Sequence, residues 1–420
     1  MINEAIKRYN AKIELLGKKA IEFTIRNGDV VLAKANDVNG EFVVPNFVNI
    51  IGEMAFESSN ITKVYIPESV KIIEDGAFAY CFSLEEVILE DGVEVIKDNA
   101  FANCIKLEHL KLSNKLVRLQ NFVFKDCRSL KTVSLPSTLK YIGSGCFKDC
   151  YSLEYLDIPD SVSKIGKMAF FRNSNLQKLK LPNNADFETI PESMCELCTK
   201  LTEIKIPSSV TQILEKAFFT SGLHSINIPI NVKHMSAEVF RGCKKLRDVR
   251  IEAELDTIPY FAFLNSGLEK IELPSTLKNI DVGAFSWCEN LEYIELPESL
   301  EVIHEQAFDF DRCLKTVRTG GKLKEIRSMA FRMCKSLESI DFPNTLEYIG
   351  NNAFEGCNSL KEITLHESIK SLGTWAFAGC NSLEKIDVRY TGVLEPNLKY
   401  NLFENHVISK INMHRVSKYE

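Results

Sequence analysis

No stretch of this 420-residue chain approaches eighteen consecutive apolar residues, so a membrane-spanning helix is not expected. No Gly-rich phosphate loop, no GxSxG, no HxxxH or HExxH among the seven His, and no carboxylate pair at a privileged spacing can be found. Those gaps remove the sequence signatures of nucleotide binding, serine hydrolysis and zinc catalysis. The expectation is therefore a protein that is not an enzyme and takes no cofactor or metal. Net charge is only −6, the wrong sign for general nucleic-acid binding, so no nucleic-acid partner is expected. The opening MINEAIKRYNAKIELLGKKA lacks the apolar core of a secretory signal. That points to the cytoplasm, or to the cell surface or secretion if a signal precedes the chain. Apolar content of 45% and charged content of 26% exclude a disordered chain.

What is present is a repeat. The stretch Leu337–Ser359, LESIDFPNTLEYIGNNAFEGCNS, recurs along most of the chain as LxxIxIPxSLxxIGxxAFxxCxS. Its anchor is the aromatic of Ala-Phe: Phe56, Phe78, Phe101, Phe124, Phe147, Phe170, Cys195, Phe218, Phe240, Phe263, Phe285, Phe308, Phe331, Phe354 and Phe377. Spacings are 22 or 23 residues, except 25 before Cys195, and a divergent copy has Phe403. A fixed period of this size marks a solenoid. Within one copy, Leu337, Ile340 and Phe342 alternate with Ser339 and Asp341, as in a half-buried strand. Pro343 ends the strand, having no N–H for a ladder. Leu346 and Ile349 point inward, Gly350 allows a bend, and Ala353-Phe354 should lie on a helical or 3₁₀ turn. One coil cannot bury its apolar residues alone, and stacking covers each with its neighbours. Some sixteen coils about 4.8 Å apart would make a curved rod of roughly 75–80 Å.

This motif resembles the BspA-type (Treponema-type) leucine-rich repeat over about residues 42–413. The resemblance implies an α/β, β-rich fold: a right-handed leucine-rich-repeat solenoid with a parallel β-sheet on the concave face and short helical or 3₁₀ turns. It also implies a non-catalytic ligand-binding or protein-interaction scaffold with a protein or glycan partner. The alternative is a bacterial cell-surface or secreted adhesin binding host protein or glycan.

Three segments are expected: an N-terminal helix and capping hairpin at 1–45, the solenoid at 46–413, and a polar tail at 414–420. Ile2, Ile6, Tyr9, Ile13 and Leu16 lie at helical spacing, for a helix packed on the first coil. Asn27-Gly28 between alternating runs signals a hairpin that shields the first coil. Near the other end, the insert RYTGVLEPNLKYNLFENH precedes a last strand containing Ile408, Ile411 and Met413. Thirteen Cys is an odd number, and ten of them fall three residues after the anchor. They read as free, buried thiols in one column rather than as a disulfide array. Cys195 and Cys198 form the one CxxC, yet they occupy the anchor and column positions of an irregular copy. Cys313, two residues past its column, should be more exposed than the rest. Gly222 and Gly267 follow shortened turns and are expected at positive φ.

Two outward residues per strand should line the sheet face. Across fifteen strands most pairs are mixed in charge. Tyr155, Lys178, Lys180, Lys205 and Arg250 fall together in central strands, and Tyr293 adds an aromatic further on. A groove with an aromatic and several cations suits an acidic peptide, a glycan acid or a phosphate-bearing partner.

Overall fold

A computed structural model describes residues 2–15, 21–390 and 411–415. Leu16, Ile408, the insert from residue 391 on with Phe403, and residues 416–420 lie outside these residues. The fold begins with helix α1 (Ile2–Leu15). Its Tyr9 meets the rings of Phe23 and Phe47 edge-on at 5.8 and 5.9 Å. Asn10 exchanges two hydrogen bonds with the Ile21 backbone. Strands β1 (Glu22–Arg26) and β2 (Asp29–Lys34) form the hairpin, turning at Asn27 and Gly28, both at positive φ. β2 then pairs in parallel with Ile50–Ile51, so the hairpin supplies the first row of a sheet that the coils continue.

The chain divides into two compact units, residues 1–210 and 211–420. Each is a stack of coils. In the first, β3 (Asn39–Val43), Asn60–Ile66, Glu86–Leu89, His109–Lys111 and Thr132–Ser134 form one parallel sheet, and Tyr155–Asp157 pairs with Lys178–Lys180 beyond it. Two-residue strands from Ile72–Ile73 to Lys164–Ile165 make a second ladder on another side of the coil. The second unit repeats the scheme, with three-stranded parallel groups such as Ser225–Ile228, Asp248–Ile251 and Lys270–Glu272. Its short-strand ladder runs from Thr257–Ile258 to Ser371–Leu372.

The anchors stack as the period requires. Phe101, Phe124 and Phe147 lie face to face at 5.7 and 5.3 Å between centroids. In the second unit the column runs from Phe218 to Phe377 with neighbours 5.0–5.7 Å apart. All these rings are fully buried. The irregular coil conserves bulk by exchange. Cys195 takes the anchor place, while Phe187 fills the place that Leu346 holds in the regular copy, and both are buried. A lost ring at one inward position is replaced at another, as close packing demands.

The expected helical or 3₁₀ turn at Ala-Phe is not formed; among the described residues α1 is the one helix. Every coil instead carries two left-handed residues, two before and two after the anchor: Asn99 and Asn103, Phe122 and Asp126, Gly283 and Trp287, Met329 and Met333. Left-handed φ costs an L-residue roughly 1–2 kcal/mol. The cause is a ladder of backbone hydrogen bonds. Alternate N–H groups close tight turns within the coil, as Ala102 to Asn99 at 2.9 Å. Those between point at the next coil, as Phe101 to Val123 and Asn103 to Lys125 at 2.9 and 2.7 Å. A helix would direct all of them along its own axis and leave the neighbouring coil unpaired.

The expectation of positive φ at Gly222 and Gly267 is not met. Gly350 is not left-handed; a Cβ there would overlap the Ser328 backbone, so close approach of coils is what requires it. At Gly267 a Cβ would strike the Arg247 guanidinium and the Lys244 carbonyl. Gly145 does need positive φ, and its missing side chain makes room for the Phe122 ring of the preceding coil. Gly145→Ala should therefore cost about 2–3 kcal/mol. Gly76→Ala, whose Cβ would meet Met54 and Ala79 at an ordinary 3.4 and 3.7 Å, should cost about 1 kcal/mol. Urea denaturation of the two variants checks the order.

Candidate functional site

All thirteen cysteines are free, and Cys313 alone is exposed. The column thiols have a structural task. Each donates to the anchor carbonyl of the coil before it: Cys81 to Phe56 at 3.0 Å, Cys104 to Phe78 at 3.2 Å, Cys357 to Phe331 at 3.1 Å. Burial raises Cys104, Cys150, Cys288, Cys334 and Cys357, and takes Cys81 and Cys243 to about 11. Cys195 is raised by burial too, and Cys198 donates to the Phe170 carbonyl at 3.1 Å. Burial thus disfavours a thiolate at Cys195, the form that redox or nucleophilic chemistry uses, and Cys198 is a buried column residue like the others. Native protein should present about one thiol to a polar disulfide reagent and thirteen after unfolding in guanidinium. Two or more reactive thiols in the folded state would contradict this arrangement.

Some members of the coil carry roles that the sequence reading did not assign. The Ser or Thr of P-x-[ST]-[LV] bridges coils: Thr138 Oγ1 lies 2.9 and 2.8 Å from the Asn114 and Leu116 carbonyls, and Thr345 repeats this with Gly321 and Leu323. Its recurrence beside Pro was the available signal. Asp311 sits in the thiol column, fully buried, with Oδ1 accepting the Cys288 N–H and Oδ2 unpartnered. Burial pushes its carboxyl well above the usual range. No group of three His, Cys, Asp or Glu among the described residues is placed to hold a metal ion. None of the described helices is long and apolar enough to cross a membrane.

The sheet face brings together four of the six singled-out residues. Tyr155 is the Cα partner of Lys178, Asp157 of Lys180, and Lys178 bridges to Glu203, two residues before Lys205. Strand alternation turns Leu156 and Leu179 into the core and leaves the four outside, with Tyr155 52% exposed. The Tyr155 hydroxyl donates to Gln177 Oε1 at 3.2 Å. Lys178, Lys180 and Lys205 are exposed and make no ion pair among the described residues. Several other lysines are engaged, as Lys63 with Glu86 at 2.7 Å, Lys131 with Glu108 at 2.8 Å and Lys361 with Glu338 at 2.7 Å.

Arg250 and Tyr293 belong to the second unit. Arg250 lies between Ser225–Ile228 and Lys270–Glu272, with carboxylates of Glu252 and Glu272 at 3.5 and 3.7 Å. Its charge is taken up locally, and one whole coil separates its strand from that of Lys205 in sequence. Tyr293 donates to Glu295 at 3.1 Å and has the Arg318 guanidinium 5.9 Å from its ring. His109, on the same face as Tyr155, shares a hydrogen bond with Thr132, and His224 is exposed just ahead of its strand.

A leucine-rich repeat protein from Bacteroides ovatus has the same fold, with a TM-score of 0.58 at 20% identity over 94% of this chain and 98% of that one. A leucine-rich cell surface protein from Faecalibacterium prausnitzii matches at 21% identity and a TM-score of 0.44, over 91% and 96% of the two chains. No curated relative matches the sequence. The family description "BspA type leucine rich repeat region" matches residues 38–127, 94–223, 212–338 and 310–419. With the parallel-strand solenoid and this continuous match from 38 to 419, the chain belongs to the BspA-type leucine-rich repeat family, a family of repeat scaffolds.

Proposed function

We propose that this protein is a non-catalytic interaction scaffold whose first unit holds an acidic polypeptide on its sheet face. The observation that carries this reading is the set of three unpaired, exposed lysines, Lys178, Lys180 and Lys205, beside exposed Tyr155. Unpaired cations on a stiff, hydrogen-bonded surface attract an anionic partner without first breaking an internal pair. Tyrosine adds contact area at low ordering cost. Strand backbones fix the spacing, so the partner meets a prearranged row of charges.

The test is fluorescence anisotropy of a labelled ten-residue Glu-rich peptide with the whole chain at low salt. Lys178→Glu, Lys180→Glu and Lys205→Glu combined should weaken binding at least tenfold and leave the unfolding midpoint within a degree or two. Affinity should also fall as salt rises. Equal affinity of the triple variant would end the proposal. Binding of a uronic-acid polysaccharide alone, with no peptide bound, would redirect it to a glycan.

A further inference from the structure

We infer that the sheet face of the first unit reads a partner segment in which apolar residues are grouped at one end and acidic residues at the other. This rests on the scaffold reading above and names the order of its partner's side chains. Cα pairing joins the outward residues into one row: Val43 with Tyr65, Tyr65 with Ile88, Ile88 with Lys111, and Lys111 with Ser134. Asp157 with Lys180 continues it on the next pair of strands, and Lys205 holds the same place two residues after Glu203.

The row changes character along its length. Val43 is 61% exposed, and Tyr65 and Ile88 are half-buried. They line a hollow of about 200 Å³ together with Val44, Ile66 and Pro67, with Asn46 and Glu90 as its polar members. A second hollow, of about 410 Å³, shares Ile88 and reaches Lys111 and Ser134. The neighbouring polar groups are internally matched at this end: Lys63 pairs with Glu86, and its ammonium also lies 4.9 Å from the Tyr65 ring. Past Ile88 the row offers Lys111, Lys180 and Lys205, none in an ion pair among the described residues, against one carboxylate, Asp157.

An apolar surface exposed beside free cations is complementary to a segment with the same division. A polypeptide supplies both aliphatic side chains for the hollow and carboxylates for the lysines; an acidic glycan supplies only the second. Eight strand positions about 4.8 Å apart span roughly 34 Å, the reach of about ten extended residues.

The experiment compares three labelled ten-residue peptides on the whole chain by anisotropy. One groups three Leu at one end and four Glu at the other, one interleaves the same residues, and one replaces the Leu by Ser. The grouped peptide should bind at least tenfold tighter than the other two. Val43→Thr with Ile88→Thr should erase that advantage and leave the Ser peptide unchanged. Lys180→Glu with Lys205→Glu should weaken the grouped and Ser peptides alike. Equal binding of grouped and interleaved peptides, or no effect of the threonine changes, overturns the inference while leaving the scaffold reading in place. Failure of the Ser peptide and the grouped peptide alike to bind overturns both.

Discussion

Truncation of Phe124 to Ala should lower the stability of the first unit by about 3–5 kcal/mol. The ring is fully buried between Phe101 and Phe147, at 5.7 and 5.3 Å, and a neighbouring coil closes each face. Both inter-coil interfaces lose contacts at once, and in a repeat array those interfaces are what hold the folded state together. Little relaxation is open to the site, because the coils above and below are tied through the backbone of the same turn, Phe101 to Val123 and Phe124 to Cys146. Phe82→Ala is the comparison. That ring is 51% exposed and touches Tyr80 edge-on, so its loss should cost less than about 1 kcal/mol. Urea unfolding followed by far-ultraviolet circular dichroism measures both. A loss for Phe124→Ala as small as that for Phe82→Ala would show that the column is not where stability resides.

The second large effect depends on pH. Asp311 lies fully buried in the thiol column, and burial raises its carboxyl well above the ordinary value, with Asp309 and Glu289 nearby adding to the rise. Arg332 is committed to Asp309, its Nε and Nη2 donating to the two carboxylate oxygens at 2.9 and 2.8 Å. The folded state therefore holds a proton that the unfolded chain releases near pH 4. Between that point and the raised folded value, the folded state binds more protons than the unfolded one, so stability falls as pH rises. The slope is about 1.4 kcal/mol per pH unit for one such group. Asp311→Asn keeps the shape and removes the titration. Asn173 already fills the same column position in another coil, its Oδ1 accepting the Cys150 N–H at 2.9 Å. The variant should match the parent near pH 4 and exceed it by about 2–4 kcal/mol at pH 7.5. A parallel pair of stability curves from pH 4 to pH 8 would show that Asp311 folds in its charged form.

These two residues also mark how far the sequence could be read. Phe124 was legible because a large apolar side chain recurring every 22 or 23 residues has one stable use, which is to stack. The thiol column was legible for the same reason. Asp311 was not, since the pattern shows a polar residue in a Cys position without showing whether it turns inward or escapes to water. The turns were misread because Ala-Phe suits a helix by local preference. Met54, Phe122, Trp287 and Trp375 at left-handed φ run against every such preference. What holds them there is hydrogen bonding to the next coil, a non-local term that no window of sequence contains.

The candidate site divides in the same way. Strand alternation alone placed Tyr155, Lys178, Lys180 and Lys205 on one outward face. Whether each cation is free or paired depends on which carboxylate stands one coil away and how its side chain turns. Arg250 has Glu252 and Glu272 within reach, whereas Lys178 has no such partner among the described residues, so two similar-looking cations differ in what they can offer a ligand. Val43, Tyr65 and Ile88 drew no notice because each is an ordinary strand residue. Their meaning comes from sharing a row.

The in-register stacking of coils can be tested by a crosslink. His109 and Thr132 are Cα partners on adjacent strands, both outward, at the inter-strand distance that a disulfide can span. In a His109→Cys, Thr132→Cys double variant, mild oxidation should join the two positions in the folded chain, read as a single linked peptide pair by mass spectrometry. A Lys111→Cys, Thr132→Cys variant, displaced by two residues in register, should stay unlinked. Efficient linkage of the displaced pair, or none of the aligned one, would contradict the 23-residue stacking from which the core, the turns and the binding face all follow.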